Sequence, residues 1–139
     1  LPTGINKLDQ LNGGLFAGQL IVIGARPSMG KSALMGQMAL SMAKKNKKVG
    51  IVSLEMNNNE IAARLASIET TTDFKQIFRN LFSDDEARVR WYKRLNNFIK
   101  LPIFITDKTD VTAIKIKGKV QQLIHEVKGM IVFLLTTCN

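Results

Sequence analysis

Gln19-Leu-Ile-Val-Ile-Gly24-Ala-Arg-Pro-Ser-Met-Gly30-Lys31-Ser32 is the stretch on which the reading of this chain turns. Its first six residues are a short, β-branched apolar run ending at glycine, the pattern of a strand buried in a sheet. From Lys31 to about Lys45, Leu34, Met35, Met38, Ala39 and Met42 recur at helical spacing. The loop Ala25 to Gly30 joins the two. A strand, a loop closed by Gly-Lys-Ser and a helix form the frame of a phosphate-binding loop. Successive backbone N–H groups of such a loop, and of the helix start, converge on an anion. The candidate nucleotide contacts are therefore Ala25, Arg26, Pro27, Ser28, Met29, Gly30, Lys31, Ser32 and Ala33. Gly30 lets the backbone approach a phosphate closely. Lys31 brings a point charge to the β- and γ-phosphates, and the Ser32 hydroxyl is placed to ligate Mg²⁺. Gly-Lys-Ser alone is a common tripeptide, so the weight rests on the frame. One feature departs from the usual pattern: its first glycine falls on Ala25, not Gly24.

Outward from this stretch, strands and helices alternate. Val49-Gly-Ile-Val-Ser53 reads as a second buried strand. Asn57 to Asn59 can cap a helix carrying Ile61, Leu65 and Ile68. Ser83-Asp-Asp-Glu86 has capping-box spacing and opens a helix towards Asn97. Pro102-Ile-Phe-Ile105 is a third strand. Val111 to Val127 is a helix with Ile114, Val120, Leu123, Ile124 and Val127 on its apolar side. Met130 to Leu135 is a fourth strand. Strands separated by helices pair in parallel through crossovers, so the expected class is α/β, a parallel sheet covered on both faces. The second strand ends in Ser53-Leu-Glu55-Met56. If that end lies beside the phosphate loop, Glu55 can polarise water for attack on a γ-phosphate. A solvent-exposed loop glutamate is the plainer alternative.

The 139 residues have room for one domain, spanning 1–139. Hydrophobic residues make up 45%, enough for a core and too many for a disordered chain. No apolar run approaches the roughly 20 residues of a membrane span. Cys138, the one cysteine, cannot form an internal disulfide. With no signal or transit segment visible, the cytoplasm is the expected compartment. The net charge of +9 suits nucleic acid or a nucleotide polyanion, or simply a basic soluble domain. Lys44, Lys45, Lys47 and Lys48 sit where cations suit a helix C-terminus. Arg79, Arg88, Arg90, Lys93 and Arg94, on or near one helical stretch with Trp91, Tyr92 and Phe98, form either a strand-binding patch or an amphipathic helix with its arginines in water; the second is the commoner case. His125 reads as a surface residue, and the methionines of the first helix as core.

Taken together, these residues resemble the C-terminal motor domain of bacterial replicative DNA helicases, the DnaB family of RecA-like ATPases. The resemblance begins at Leu1-Pro-Thr-Gly4, Leu8-Asp9, Gly13-Gly14-Leu15 and Gly18-Gln-Leu20. It runs through Ala25-Arg-Pro-Ser-Met-Gly-Lys-Ser32, Ser53-Leu-Glu-Met56 with Arg64-Leu65, and Leu101-Pro-Ile-Phe-Ile105 with Asp107, and fades after Lys128. Arg-Pro-Ser-Met-Gly-Lys is specific to that family, which also opens the loop on alanine. The resemblance implies a RecA-like P-loop NTPase fold of three layers, incomplete at the C-terminus. It implies ATP with Mg²⁺, Glu55 as the catalytic carboxylate beside Lys31, and Arg64 near the nucleotide. By the same resemblance the partners are ATP or ADP, single-stranded DNA, other copies in a homo-hexamer, primase and a helicase loader.

The resemblance breaks at the fourth strand. The family ends it with Ile-Asp-Tyr-Leu-Gln-Leu, whose aspartate orients the metal. This chain reads Phe133-Leu-Leu-Thr-Thr-Cys-Asn139, with no carboxylate after Met130. Leu134 to Asn139 can be encoded TTA TTG ACT ACT TGC AAC; read two bases on, into a TGA stop, the string gives Ile-Asp-Tyr-Leu-Gln-Leu. The expectation is a frame-shifted, shortened motor domain that binds nucleotide and hydrolyses it poorly. A start at Leu1 fits an excised piece. Three other readings stay open: another RecA-like ATPase of recombinase or clock type, a non-enzymatic nucleotide-binding remnant, and, more distantly, a small-molecule kinase.

Overall fold

The computed structural model describes residues 1–139 apart from 27, 108–111, 128, 130 and 136–139. It is an α/β structure, as the alternation predicts. In chain order its elements are α1 (Asn6–Asn12), α2 (Lys31–Lys44), β1 (Val49–Ser53), α3 (Asn58–Thr70), α4 (Phe74–Phe78), α5 (Asp85–Ile99), β2 (Ile103–Asp107), α6 (Ala113–Glu126) and β3 (Ile131–Leu135). The described sheet has three parallel strands in the order β2-β1-β3. Val49 pairs with Ile103 on one side and Ile131 on the other, and Ser53 with Asp107 and Leu135.

β1 is central and buried along its whole length. Its apolar residues need no polar alternation because both edges and both faces are covered. Against it pack Met35, Met38 and Met42 of α2 and Ile61 and Leu65 of α3. The methionines of α2 are core, as their spacing predicts. Gly36 lies at a close approach of α2 to α3: a Cβ there would come 2.9 Å from Ile68 Cδ1 and 3.2 Å from Leu65 Cδ2. α5 is fixed to the end of α3 through Thr70. Trp91 Nε1 donates to Thr70 Oγ1 (3.2 Å), and Arg94 Nη1 donates to the Thr70 carbonyl (3.0 Å). The arginines of α5 are exposed, Trp91 and Phe98 are half-buried, and Tyr92 is exposed.

Three expectations are corrected. Gln19–Gly24 is not a strand. Leu20 is 90% and Val22 81% exposed, and the described sheet has three strands rather than four. An apolar run becomes a strand only when a neighbour takes its backbone N–H and C=O groups. Both edges of β1 are already occupied, so the segment leading into the loop does not lie beside β1 in the sheet. The capping box at residues 83–86 does not form. Asp84 caps α5 instead, its Oδ1 accepting from Ala87 N at 2.6 Å. The helix thus starts one residue later, and Glu86 pairs with Arg90 (3.4 Å) rather than reaching back. Ile114 and Ile124, expected on the apolar side of α6, are exposed. Of the predicted helix and strand ends, Val111 and Met130 lie outside the described residues. Two short helices, α1 and α4, are not foreseen by the periodicity because neither exceeds two turns.

Candidate nucleotide site

The loop enters α2 through Gly30, whose φ of +83° places it in the left-handed region. Glycine adopts this conformation without steric cost. The preceding turn closes with Met29 N donating to the Arg26 carbonyl (3.2 Å), and Ser28 also has a positive φ of 63°. No side-chain hydrogen bond from Gly30 caps α2, and the positive end of this 14-residue helix faces the loop. A Cβ built on Gly30 would meet nothing within 4 Å, so space at the loop is open. Ala25, Arg26, Ser28, Met29 and Ala33 are exposed, while Lys31 and Ser32 in the first turn of α2 are half-buried; Pro27 lies outside the described residues.

The donor set suits a Mg²⁺ ion carried in by phosphates. Mg²⁺ is commonly held through one or two protein oxygens, with phosphate and water completing the shell. Ser32, half-buried in the first turn of α2, is the hydroxyl that would serve such an ion. Among the described residues no cluster of three His, Cys, Asp or Glu side chains offers a dedicated metal cage.

Glu55 stands on the bend Leu54–Met56, at the carboxyl end of β1, and is exposed. Ser53, fully buried, anchors this bend: its Oγ accepts from Met56 N at 2.9 Å and from Glu55 N at 3.4 Å. Asn57 caps α3, its Oδ1 accepting from Glu60 N at 2.8 Å, as the Asn57–Asn59 pattern predicts. Arg64 lies one turn further along α3. Its guanidinium donates twice to Glu60 Oε1 (2.7 and 3.1 Å) and stacks 4.6 Å from the centre of the Phe74 ring. These contacts hold Arg64 on the outer side of its own helix and α4.

Asp107 is a contact that motif reading leaves without a role. Its Oδ2 accepts from Asn58 N at 2.8 Å, across 49 residues of sequence. Only the parallel register of β1 and β2, which sets Asp107 opposite Ser53, brings it to the start of α3.

The segment before the loop borders a cavity of about 610 Å³. Leu8, Leu15, Met38 and the run Leu20–Ile23 line it. The N-terminal arm over this cavity is held by Asp9, whose Oδ1 accepts from the Thr3 amide and hydroxyl, both at 2.7 Å. Those bonds, the hydroxyl's first, keep the Asp9 carboxyl below its ordinary value.

The sequence matches the family described as "DnaB-like helicase C terminal domain" over residues 1–135. It is 35% identical over 128 residues to the replicative DNA helicase DnaB of Leifsonia xyli subsp. xyli, covering 88% of this chain and 27% of that protein. It is 32% identical over 123 residues to the DnaB of Helicobacter pylori (strain 26695), covering 88% and 25%. The chain thus spans about a quarter of the length of these relatives. Among solved structures, one described as an ATPase domain superposes with a TM-score of 0.82 at 27% identity, covering 96% of this chain and 47% of that one. A DnaB-like replicative helicase, described with its interactions with primase, superposes with a TM-score of 0.81 at 27% identity, covering 96% and 33%.

Proposed function

Because the chain belongs to the DnaB-like helicase C-terminal domain family, we propose that it is the nucleotide-binding part of a replicative helicase motor. Such a motor couples ATP hydrolysis to the unwinding of duplex DNA. Residues 1–139 are then the N-terminal portion of a RecA-like motor domain. The observation that carries this reading is the start of α2: a left-handed Gly30, no side-chain cap, open space at the loop, and Lys31-Ser32 in the first turn.

In this reading the main-chain N–H groups of Ala25, Arg26 and Ser28 to Ala33 wrap the phosphates; Pro27 has no N–H to give. Lys31 neutralises the β- and γ-oxygens. Ser32 would hold Mg²⁺, which when bound would spread the charge developing on the phosphates. Glu55 orients water and takes its proton as the water oxygen bonds to the γ-phosphorus and the bond to the bridging oxygen of ADP breaks. Arg64 serves the nucleotide only after leaving Glu60 and Phe74.

Residues 131–139 contain no carboxylate, so hydrolysis by this chain is slow while binding persists. Single-stranded DNA, further copies in a homo-hexamer, primase and a loader are partners of the whole motor, and the cytoplasm is its compartment. Among the described residues, no helix is long and apolar enough to cross a membrane. The test is single-turnover ATP hydrolysis with protein in excess. Glu55→Gln should lower the rate by about a hundredfold or more, within the usual reach of a positioned base. An unchanged rate removes Glu55 from the mechanism.

A further inference from the structure

We propose that Ser53 and Asp107 are positioning residues for Glu55, acting as a two-strand clamp on the bend that carries it. The inference rests on the reading of Glu55 as the water-orienting carboxylate. Glu55 is the exposed residue of a three-residue bend, between half-buried Leu54 and Met56, and among the described residues no hydrogen bond or ion pair fixes its own side chain. Met56 packs against the core, and side-chain acceptors hold the bend at its two ends. On one side Ser53 Oγ accepts from the amides of Glu55 and Met56. On the other, Asp107 Oδ2 accepts from Asn58 N, and Asn57 Oδ1 from Glu60 N.

Ser53 and Asp107 are the last residues of adjacent parallel strands and partners in register. The sheet therefore sets the spacing between the two anchors. Asp107 also places a carboxylate at the N-terminus of α3, where the helix dipole favours it. The two side chains act on the main-chain amides of Glu55, Met56 and Asn58, so their loss changes where the Glu55 carboxylate points. The phosphate loop lies on a different segment. A misplacement of about an ångström can cost on the order of a hundredfold in rate.

The experiment compares Ser53→Ala, Ser53→Thr, Asp107→Ala and Asp107→Asn, with Glu55→Gln as control. It measures single-turnover ATP hydrolysis, Mg-ATP affinity by calorimetry, and amide hydrogen exchange at Met56 and Asn58. The alanine variants should slow hydrolysis by roughly tenfold to a hundredfold while nucleotide affinity holds. Ser53→Thr and Asp107→Asn, which keep an acceptor oxygen, should restore most of the rate. Exchange should quicken at Met56 in Ser53→Ala and at Asn58 in Asp107→Ala. Parallel loss of rate and affinity, or equal loss in the conservative variants, overturns the clamp. A drop in Glu55→Gln with none in the alanine variants overturns the clamp alone. A wild-type rate in Glu55→Gln overturns the role of Glu55 itself. If the wild-type chain shows no turnover, the catalytic reading fails, and unprotected wild-type amides at Met56 and Asn58 would sink the clamp as well.

Discussion

Leu20-Ile-Val-Ile23 and Val49-Gly-Ile-Val52 are near-equal in composition and opposite in fate. Val49 and Ile51 are fully buried in the centre of the sheet, while Leu20 and Val22 stand in solvent. Helix propensity or turn chemistry does not separate them, since both are short, β-branched and bounded by turns. Pairing does. Val49 to Ser53 finds Ile103 to Asp107 on one edge and Ile131 to Leu135 on the other. Leu20–Ile23 has no ladder among the described residues. A strand is a relation between segments, and the local pattern states only half of it.

The largest effect expected from this contrast is in the core. Ile51→Ala should cost about 2–5 kcal/mol in urea unfolding, the range for truncating a buried aliphatic side chain. Ile21→Ala should stay within about 0.5 kcal/mol, as for an exposed substitution. Equal costs at the two sites would mean that the run before the loop is packed in solution. A smaller effect belongs to the bend between the strand and α3. Asn57→Ala removes a cap and should cost about 1 kcal/mol, measured by the same unfolding midpoint. An undiminished midpoint would show that Asp107 alone holds the start of α3.

The smallest effect is electrostatic. The bond from Ala87 N, then that from the Ser83 hydroxyl, holds the Asp84 carboxyl below the ordinary carboxylate value. A depressed folded value means that the ionised form favours the fold. That contribution is complete above the unfolded value and is lost as pH falls through the folded one. The thermal midpoint of Asp84→Ala should therefore lie below wild type near neutrality and approach it in acid. A gap that widens in acid contradicts this assignment.

Most of the framework was readable from residues alone. β1 and the span of α2 follow from apolar periodicity, and Asn57 announces its cap. The loop chemistry lies in contiguous residues, Gly30-Lys31-Ser32, so its local geometry needs no tertiary knowledge. Long-range facts were not readable. Asp107 reaches Asn58 only through strand register, and Thr70 becomes an anchor only once Trp91 and Arg94 arrive from α5. Arg64 illustrates the converse: its motif position points to a nucleotide, while its fold neighbours are Glu60 and Phe74. The capping error at Ser83 came from a competition that a spacing rule does not weigh, since an adjacent aspartate is also a strong acceptor.

The phosphate cradle proposed at the start of α2 underlies the functional reading of this chain, and calorimetric titration of Mg-ATP into the chain and into Lys31→Ala tests it directly. The expected result is saturable binding, one nucleotide per chain, abolished in Lys31→Ala while the far-ultraviolet circular dichroism stays the same. Binding of wild-type strength in Lys31→Ala would contradict the assignment of residues 25–33 as the phosphate site.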